Sequence, residues 1–290
     1  GIVGRMGCVF SLIEDNHIHN INNMQQLGGA EISGIKLHAA IDVVMRRNHI
    51  HHSTMGIWCD WQAQGTRISQ NLLHDNHAPE NTPQAAGCMM SQDVFVEVGH
   101  GPTLIDNNVM LSKASVRIAT EGVACVHNLI AGAFTAVGNG TDMNVNGVNQ
   151  PRYTPYHIRH RTEVAGFMTI LHGDDRFYNN IFVQKWPKED VITPHDPVKE
   201  VEVKEDMGFM MADNQVVGTD VFDEYPTYDE WISWFEMDKP ADMMKMTEYH
   251  FAHLPVWVNG NAYFNGAKAC KNEKENLIDE KNEVTLELVE

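Results

Sequence analysis

The hexapeptide Ile105-Asp106-Asn107-Asn108-Val109-Met110 decides the fold, because its pattern recurs along the chain. An apolar residue and two spacers precede an asparagine, and mainly apolar residues follow it. The recurring asparagines are Asn16, Asn48, Asn71, Asn108, Asn128 and Asn180, at steps of 32, 23, 37, 20 and 52 residues. The shorter steps are close to one coil of a parallel β-helix, and the longer ones fit a coil with an insertion or two coils.

Asparagine suits a tight bend in such a coil. It tolerates left-handed backbone angles, and stacked asparagine side chains can form amide ladders along the helix axis. Amphipathic helical periodicity is poor over residues 1–185, which argues against helical bundles and α-solenoids. A β-sandwich would not repeat one asparagine motif at this spacing. We therefore predict an all-β chain that forms a parallel β-helix.

The sequence divides into three regions. Residues 1–185 carry the repeat and are predicted to form the parallel β-helix core. Residues 186–254 are predicted to be a long excursion of loop and helix, with Tyr228–Phe235 as the helical part. Residues 255–290 become strand-like again, which predicts a return to the β-helix or terminal strands, ending in an alternating strand over 284–290.

Charge and hydropathy limit the partners. The net charge of −18, from 39 acids and 21 bases, argues against nucleic acid and polyuronates, which are themselves negative. No apolar run is long enough to predict a membrane span. No signal peptide is visible at the start of the sequence, so we expect a cytoplasmic protein.

The spacing of the cysteines and histidines bears on disulfides and on metal sites. Five cysteines without a CxxC pair predict free thiols rather than a disulfide framework. Several histidines stand at the short spacings of metal ligands: His17, His19, His49, His51 and His52. Histidines that alternate on an exposed strand face are the favoured interpretation, so no metal site is predicted.

The asparagine repeat also aligns two acids. Asp60 lies 11 residues before Asn71, and Glu97 lies 11 residues before Asn108, so both acids take the same position on successive coils. Side chains alternate between the faces of a strand. An apolar interior face is predicted for Ile57, Cys59, Trp61, Val94, Val96 and Val98. Asp60 and Glu97 would then lie on the outer face, beside Trp58 and Phe95.

This placement suits glycoside hydrolysis. Adjacent strands lie about 4.8 Å apart, and retaining glycosidases hold their two carboxyl groups about 5–5.5 Å apart. Two close carboxylates also raise the pKa of one of them, as a general acid requires. Trp58 and Phe95 would offer faces for sugar stacking. Arg117, 11 residues before Asn128, would be next in the stack of acids. Spacing alone leaves open that the two acids are ordinary solvated strand residues.

Longer motifs resemble a known family. The segments 56–67 (GIWCDWQAQGTR), 93–102 (DVFVEVGHGP), 153–157 (YTPYH), 164–166 (VAG) and 173–180 (GDDRFYNN) resemble the glycoside hydrolase family 120 β-xylosidases. The resemblance covers most of residues 1–185 and continues more thinly to the end. It implies a right-handed parallel β-helix with an inserted β-sandwich domain, and an oligomeric protein. With the excursion read from the sequence, the fold predicted for this chain is a right-handed parallel β-helix with long inserted loops and some helix in the C-terminal part. Family members are much longer, so the chain is interpreted as a fragment.

The resemblance also implies an activity. This is retaining, exo-acting cleavage of β-xylosidic bonds in xylobiose and xylo-oligosaccharides, as in xylan degradation, with Asp60 as nucleophile and Glu97 as acid/base. Glu31 and His38 are candidates for hydroxyl contacts. The other candidate substrate-binding residues are Trp58, Trp61, Phe95, His100 and Arg117. No cofactor is required, and a structural Ca²⁺ stays open.

Two other functions are compatible with the same fold. A polysaccharide lyase or pectin hydrolase would need a cationic or tyrosine base and usually Ca²⁺, and Arg117 is the obvious candidate for the base. A non-catalytic carbohydrate-binding or adhesion β-helix would use Trp58 and Trp61 as a stacking platform and the two acids as hydrogen-bond partners.

Overall fold

The computed structural model describes residues 1–24, 32–77, 91–136, 143–145, 148–186, 217–236, 238 and 240–289. Short strands dominate these residues. They are β1 (Ile2–Gly4), β2 (Leu12–Glu14), β3 (His17–His19), β4 (Ile35–His38), β5 (Val44–Arg46), β6 (His49–His51), β7 (Ile57–Asp60), β8 (Thr66–Ser69), β9 (Leu72–His74), β10 (Val94–Glu97), β11 (Thr103–Asp106), β12 (Val109–Met110), β13 (Ala114–Ala119), β14 (Val123–Val126), β15 (Leu129–Ile130), β16 (Ala133–Ala136), β17 (Met143–Val145), β18 (Val148–Gln150), β19 (Tyr153–His157), β20 (Val164–Thr169), β21 (Asp175–Tyr178), β22 (Ile181–Val183), β23 (Val256–Asn259), β24 (Ala262–Phe264) and β25 (Leu277–Asp279).

Three parallel sheets form the body of the protein, and the chain visits them in turn. The first sheet has the order β1-β4-β7-β10-β13-β16, and the second has β2-β5-β8-β11-β14-β21-β23. The third sheet runs β3-β6-β9-β12-β15-β22-β24-β25. Each early coil therefore contributes one strand to each sheet, so the chain is all-β in the manner of a parallel β-helix.

An amide ladder runs along this stack of coils. The side-chain amide of each repeat asparagine donates to the side-chain oxygen of the next, at 2.9–3.0 Å, from Asn16 to Asn180. The ladder continues to Asn261, a seventh member that the sequence pattern did not include, and ends on Glu273 Oε1 at 2.8 Å. Asn16 apart, these asparagines are buried, and the ladder satisfies polar groups that would otherwise be unpaired.

We expect Asn108→Ala to destabilise the protein by about 3 kcal/mol, because several buried groups lose partners that are worth about 1–3 kcal/mol each. The Asn108 side chain accepts from the backbone and side chain of Asn71, and it donates to Ile68 O and Asn128 Oδ1. Denaturant unfolding would measure the change. The exposed Asn272 supplies the control, and equal stability of Asn108→Ala and Asn272→Ala would contradict a structural role for the ladder.

The interior of the stack is apolar. Its largest fully buried side chains include Phe134, Phe177, Phe182 and Tyr263, all of one continuous core. Phe222 joins this core from a 3-10 helix at Asp220–Phe222, and its ring lies 4.4 Å from Phe177. A segment of the predicted excursion therefore covers one end of the core.

Helix is confined to a small part of the described chain. The predicted helix is observed as α1 (Tyr228–Ser233), whose N-terminus has a capping box between Thr227 and Glu230. A 3-10 helix spans Pro240–Tyr249. Among the described residues, no helix has both the length and the apolarity to cross a membrane.

The C-terminal residues and the cysteines bear on two predictions from the sequence. The strand expected at 284–290 is wrong, because the last described strand is β25 and residues 284–289 have no strand assignment. Cys8, Cys59, Cys125 and Cys270 are free thiols, as predicted, while Cys88 lies outside the described residues.

Candidate active site

Two columns of side chains on the outer face of the first sheet form the candidate site. Parallel pairing places Asp60 of β7 directly beside Glu97 of β10, as the asparagine spacing predicts. His38 of β4 pairs with Asp60 on the other side, so the first column reads His38, Asp60, Glu97. The second column lies two residues earlier on the same strands and reads Lys36, Trp58, Phe95, Arg117.

Asp60 lies between two nitrogen groups. Its Oδ2 is 2.7 Å from Lys36 Nζ and 3.0 Å from His38 Nε2. Lys36 is 1% exposed, so this ion pair is shielded from water. The ammonium also lies 3.1 Å from His38 Nε2 and 4.2 Å from the Trp58 ring. Removing Asp60 would break this buried ion pair, which is costly.

Glu97 differs from Asp60 in its surroundings. Burial, followed by the negative charge of Asp60 and a hydrogen bond between the two carboxyl groups, raises the pKa of Glu97 to about 7. The Trp58 indole donates to Glu97 Oε2 at 3.1 Å and opposes this rise, as does the charge of Arg117. One acid is thus ion-paired and its neighbour tends to hold a proton near neutral pH. An ion-paired carboxylate beside an acid with a raised pKa is an arrangement by which one site supplies a nucleophile and a proton donor.

The aromatic rings beside the acids do not present open faces, so the expectation that Trp58 and Phe95 offer stacking surfaces is wrong. Trp58 is 2% exposed and Phe95 is 1% exposed, and their rings stack on each other at 5.8 Å. Lys36 covers the outer face of Trp58, and Arg117 lies over Phe95 at 5.3 Å. The rings thus support the acids, with Trp58 orienting Glu97.

Arg117 is displaced from its predicted place. It pairs with Phe95, and Ala119 takes the position beside Glu97, so the prediction that Arg117 follows the acids in their column is wrong. Ala119 pairs with Glu97, and Val123 pairs with Thr103. Thr103 follows Glu97 by six residues, whereas Val123 follows Ala119 by only four. The shorter connection shifts the register by two residues relative to the asparagine.

A left-handed residue follows each member of the first column. Ala39, Trp61 and Val98 have φ values of 50°, 49° and 45°. Such angles are uncommon outside glycine and are unfavourable for a β-branched residue such as Val98. Left-handed residues also stand at other corners of the coils, among them Arg47, Gln70 and Asn107, so the conformation belongs to the fold as a whole. The bends after the first column end the strands at the acids and repeat from coil to coil, with Gln62 N donating to Val98 O at 2.9 Å.

The same bend removes Trp61 from the interior. The predicted alternation ends at Asp60, so Trp61 is half-buried and does not join the core, contrary to its predicted interior position. Its ring instead contacts the guanidinium of Arg152 at 4.0 Å. Burial lowers the pKa of Arg152, while the charges of Glu97 and Asp60 oppose that change, which places the guanidinium within electrostatic reach of both acids.

The hairpin of β19 and β20 is anchored beside the site. His100 Nδ1 contacts Glu121 Oε1 at 2.9 Å, and His100 Nε2 contacts Thr154 Oγ1 at 2.7 Å. His157 Nε2 contacts Gln62 Oε1 at 2.8 Å. Both ring nitrogens of His100 therefore have protein partners, which favours a positioning role over the predicted substrate contact.

Sequence reasoning missed Lys36 and Arg152. Counting 11 residues back from Asn48 gives Leu37, whereas His38 is the residue that pairs with Asp60. The segment that links β4 to β5 is one residue shorter than the equivalent segment after β7, which explains the difference. Alternation alone could have found Lys36, since Ile35 and Leu37 are buried core residues on either side of it. Nothing local in the sequence marks Arg152. The predicted Glu31 lies outside the described residues, as do residues 78–90 of the insertion between Asn76 and Asp93.

Two clefts lie elsewhere among the described residues. One of about 650 Å³ is lined by residues such as Tyr228, Trp257 and Lys274, and one of about 780 Å³ by residues such as Asn265 and Asp279. Neither includes the acid pair, on which the proposed chemistry depends.

Comparison with known proteins adds one relative. No protein-family model matches the chain, and no curated protein matches it. A solved structure described as "The complex structure of XylC with xylose" matches 96% of this chain, with a TM-score of 0.69 and 37% sequence identity. The match covers 35% of the XylC chain, so the present chain spans about a third of that protein. The resemblance to the family 120 β-xylosidases is confirmed by this similarity.

Proposed function

We propose that this chain carries the catalytic acids of a retaining, exo-acting β-xylosidase built on a right-handed parallel β-helix. The observation that carries the proposal is the in-register pair of Asp60 and Glu97, of which one is ion-paired with Lys36 and the other has a raised pKa. The similarity to XylC, solved with xylose, supports a β-xyloside substrate such as xylobiose or a longer xylo-oligosaccharide.

The reaction would proceed by double displacement. The Asp60 carboxylate attacks the anomeric carbon and forms a glycosyl ester, while Glu97 donates its proton to the departing glycosidic oxygen. Glu97, now a carboxylate, takes a proton from water, which attacks the same carbon and releases xylose and free Asp60. Lys36 and His38 fix the attacking oxygen, and neighbouring strands about 4.8 Å apart hold the acids too close for an inverting enzyme, which needs about 6.5–9.5 Å.

The pH profile tests the protonation of Glu97. Because the acid must carry a proton to start the reaction, kcat/KM for xylobiose is expected to fall as pH rises through about 7, the raised pKa of Glu97. Trp58→Phe removes an indole N–H that stabilises the carboxylate form, so the alkaline limb is expected to move to higher pH. An alkaline limb that moves to lower pH, or that stays in place in this variant, would contradict the assignment of Glu97.

The remaining expectations from the sequence are part of this proposal. A non-catalytic sugar-binding protein would keep its affinity for xylo-oligosaccharide but show no turnover in the unmodified protein, whereas we expect turnover. A homo-oligomer is proposed on the resemblance, and light scattering tests it. The cytoplasmic location stays a prediction from the sequence. No cofactor is required by the double displacement.

A further inference from the structure

Six histidines gather on the outer face of the third sheet, away from the acid pair. They come from three successive coils. His17 pairs with His49 in one row, and His19, His51 and His74 pair in sequence in the next row. The rings of His17 and His49 stack at 4.6 Å, and those of His51 and His74 stack at 4.9 Å. The members of this histidine array are His17, His19, His49, His51, His52 and His74.

Ring nitrogens within the array face one another. His17 Nε2 lies 2.8 Å from His51 Nε2, and His49 Nε2 lies 2.7 Å from His74 Nε2. Ligand atoms of His17, His49 and His51 all lie within 4.8 Å of one another. Imidazoles that bind one Zn²⁺ at about 2.0–2.1 Å in a tetrahedron hold their nitrogens about 3.4 Å apart. Small ring rotations would therefore open a position for a cation between the facing nitrogens.

An acid orients one member of the array. His74 Nδ1 contacts Asp75 Oδ2 at 2.6 Å, which leaves His74 Nε2 to face His49. A carboxylate that holds the far nitrogen of a histidine is the usual outer partner of a histidine ligand, where it fixes the ring and its tautomer. This arrangement is a second feature, independent of the clustering, that fits a metal site.

We propose that His17, His49 and His51, with His74 as a fourth ligand positioned by Asp75, bind a divalent transition-metal ion such as Zn²⁺. Imidazole ligands select Zn²⁺, Ni²⁺ and Cu²⁺ over Ca²⁺ and Mg²⁺, which prefer oxygen. The site lies on a different sheet from Asp60 and Glu97, and it would join three coils of the stack. Its role would be structural and separate from the proposed hydrolysis.

Zinc titration of the untagged protein against a chromophoric chelator tests the proposal. We expect one Zn²⁺ per chain, a higher unfolding temperature with Zn²⁺ and no such rise with Mg²⁺. The variant His17→Gln/His51→Gln should lose at least about 100-fold in affinity, and Asp75→Asn should lose about 10–100-fold, as removal of an outer partner does. His250→Gln, at an exposed histidine outside the array, should bind as the unmodified protein does.

Two results would overturn the metal site. One is absence of Zn²⁺ binding by the unmodified protein, and the other is equal affinity of the double variant and the His250→Gln control. Because His17 is exposed and His51 is half-buried, the double variant should remain folded, which far-UV circular dichroism checks. X-ray absorption of the zinc complex supplies a second measurement, with all-nitrogen ligands at about 2.0–2.1 Å as the expected result.

Discussion

Asp60→Asn is expected to lower kcat for xylobiose by about 10⁴-fold or more, because loss of a catalytic nucleophile removes the covalent pathway. The amide cannot form the glycosyl ester. A mechanism-based 2-fluoroxyloside should label the unmodified protein, and mass spectrometry of its peptides should place the label on Asp60. Turnover by Asp60→Asn near the unmodified rate, or a label on another residue, would remove Asp60 as the nucleophile.

Folding must be separated from chemistry in this experiment. Asparagine breaks the buried ion pair with Lys36, and breaking such a pair costs about 3–5 kcal/mol. Asp60→Glu keeps the negative charge but moves the carboxylate by one methylene, so it should remain folded and still lose most activity. Asp15→Asn, an exposed acid paired with Arg47, serves as the control with unchanged kcat.

Glu97→Gln is expected to lower kcat for xylobiose by about 10²–10⁴-fold, the usual contribution of a general acid–base group. The leaving group of an activated aryl xyloside needs little protonation. The rate of the first displacement with this substrate should therefore be nearly unchanged in Glu97→Gln. Azide needs no general base, so it should rescue turnover of this variant and give β-xylosyl azide. The same probe with Asp60→Ala should give α-xylosyl azide, since azide then attacks from the vacant face.

The two azide products separate the roles of the acids. An α-xylosyl azide product from Glu97→Gln would exchange the assignments of the two acids. Equal losses in kcat/KM for xylobiose and for the aryl xyloside would remove Glu97 as the general acid. Glu163→Gln, an exposed acid on the β19–β20 hairpin, is the matched control and should leave both substrates unaffected.

The sequence predicted the acid pair because the two coils that carry it are regular. Asp60 and Glu97 stand at the same distance from ladder asparagines, and both are six positions before Thr66 and Thr103, which pair with each other. Where a connection changes length, as after Ala119, the same spacing misplaces Arg117. A repeat thus fixes register for coils of equal length.

Other parts of the site depend on contacts that the repeat does not encode. Trp61 left its predicted face because a left-handed residue ends the strand at Asp60, and alternation holds no information on such a bend. Arg152, which directly precedes β19 far along the chain, lies over Trp61 and within electrostatic reach of the acids. Trp58 and Phe95 were placed on the correct face, but the cations that cover their rings come from neighbouring coils.

Proton NMR of xylobiose hydrolysis in the first minutes, before mutarotation, tests the stacked carboxylate pair most directly. Two acids on adjacent strands predict that β-xylose appears first and that the α-anomer grows in later by mutarotation. Initial release of α-xylose would mean that water attacks directly between carboxyl groups farther apart than adjacent strands permit, and it would contradict the Asp60–Glu97 mechanism.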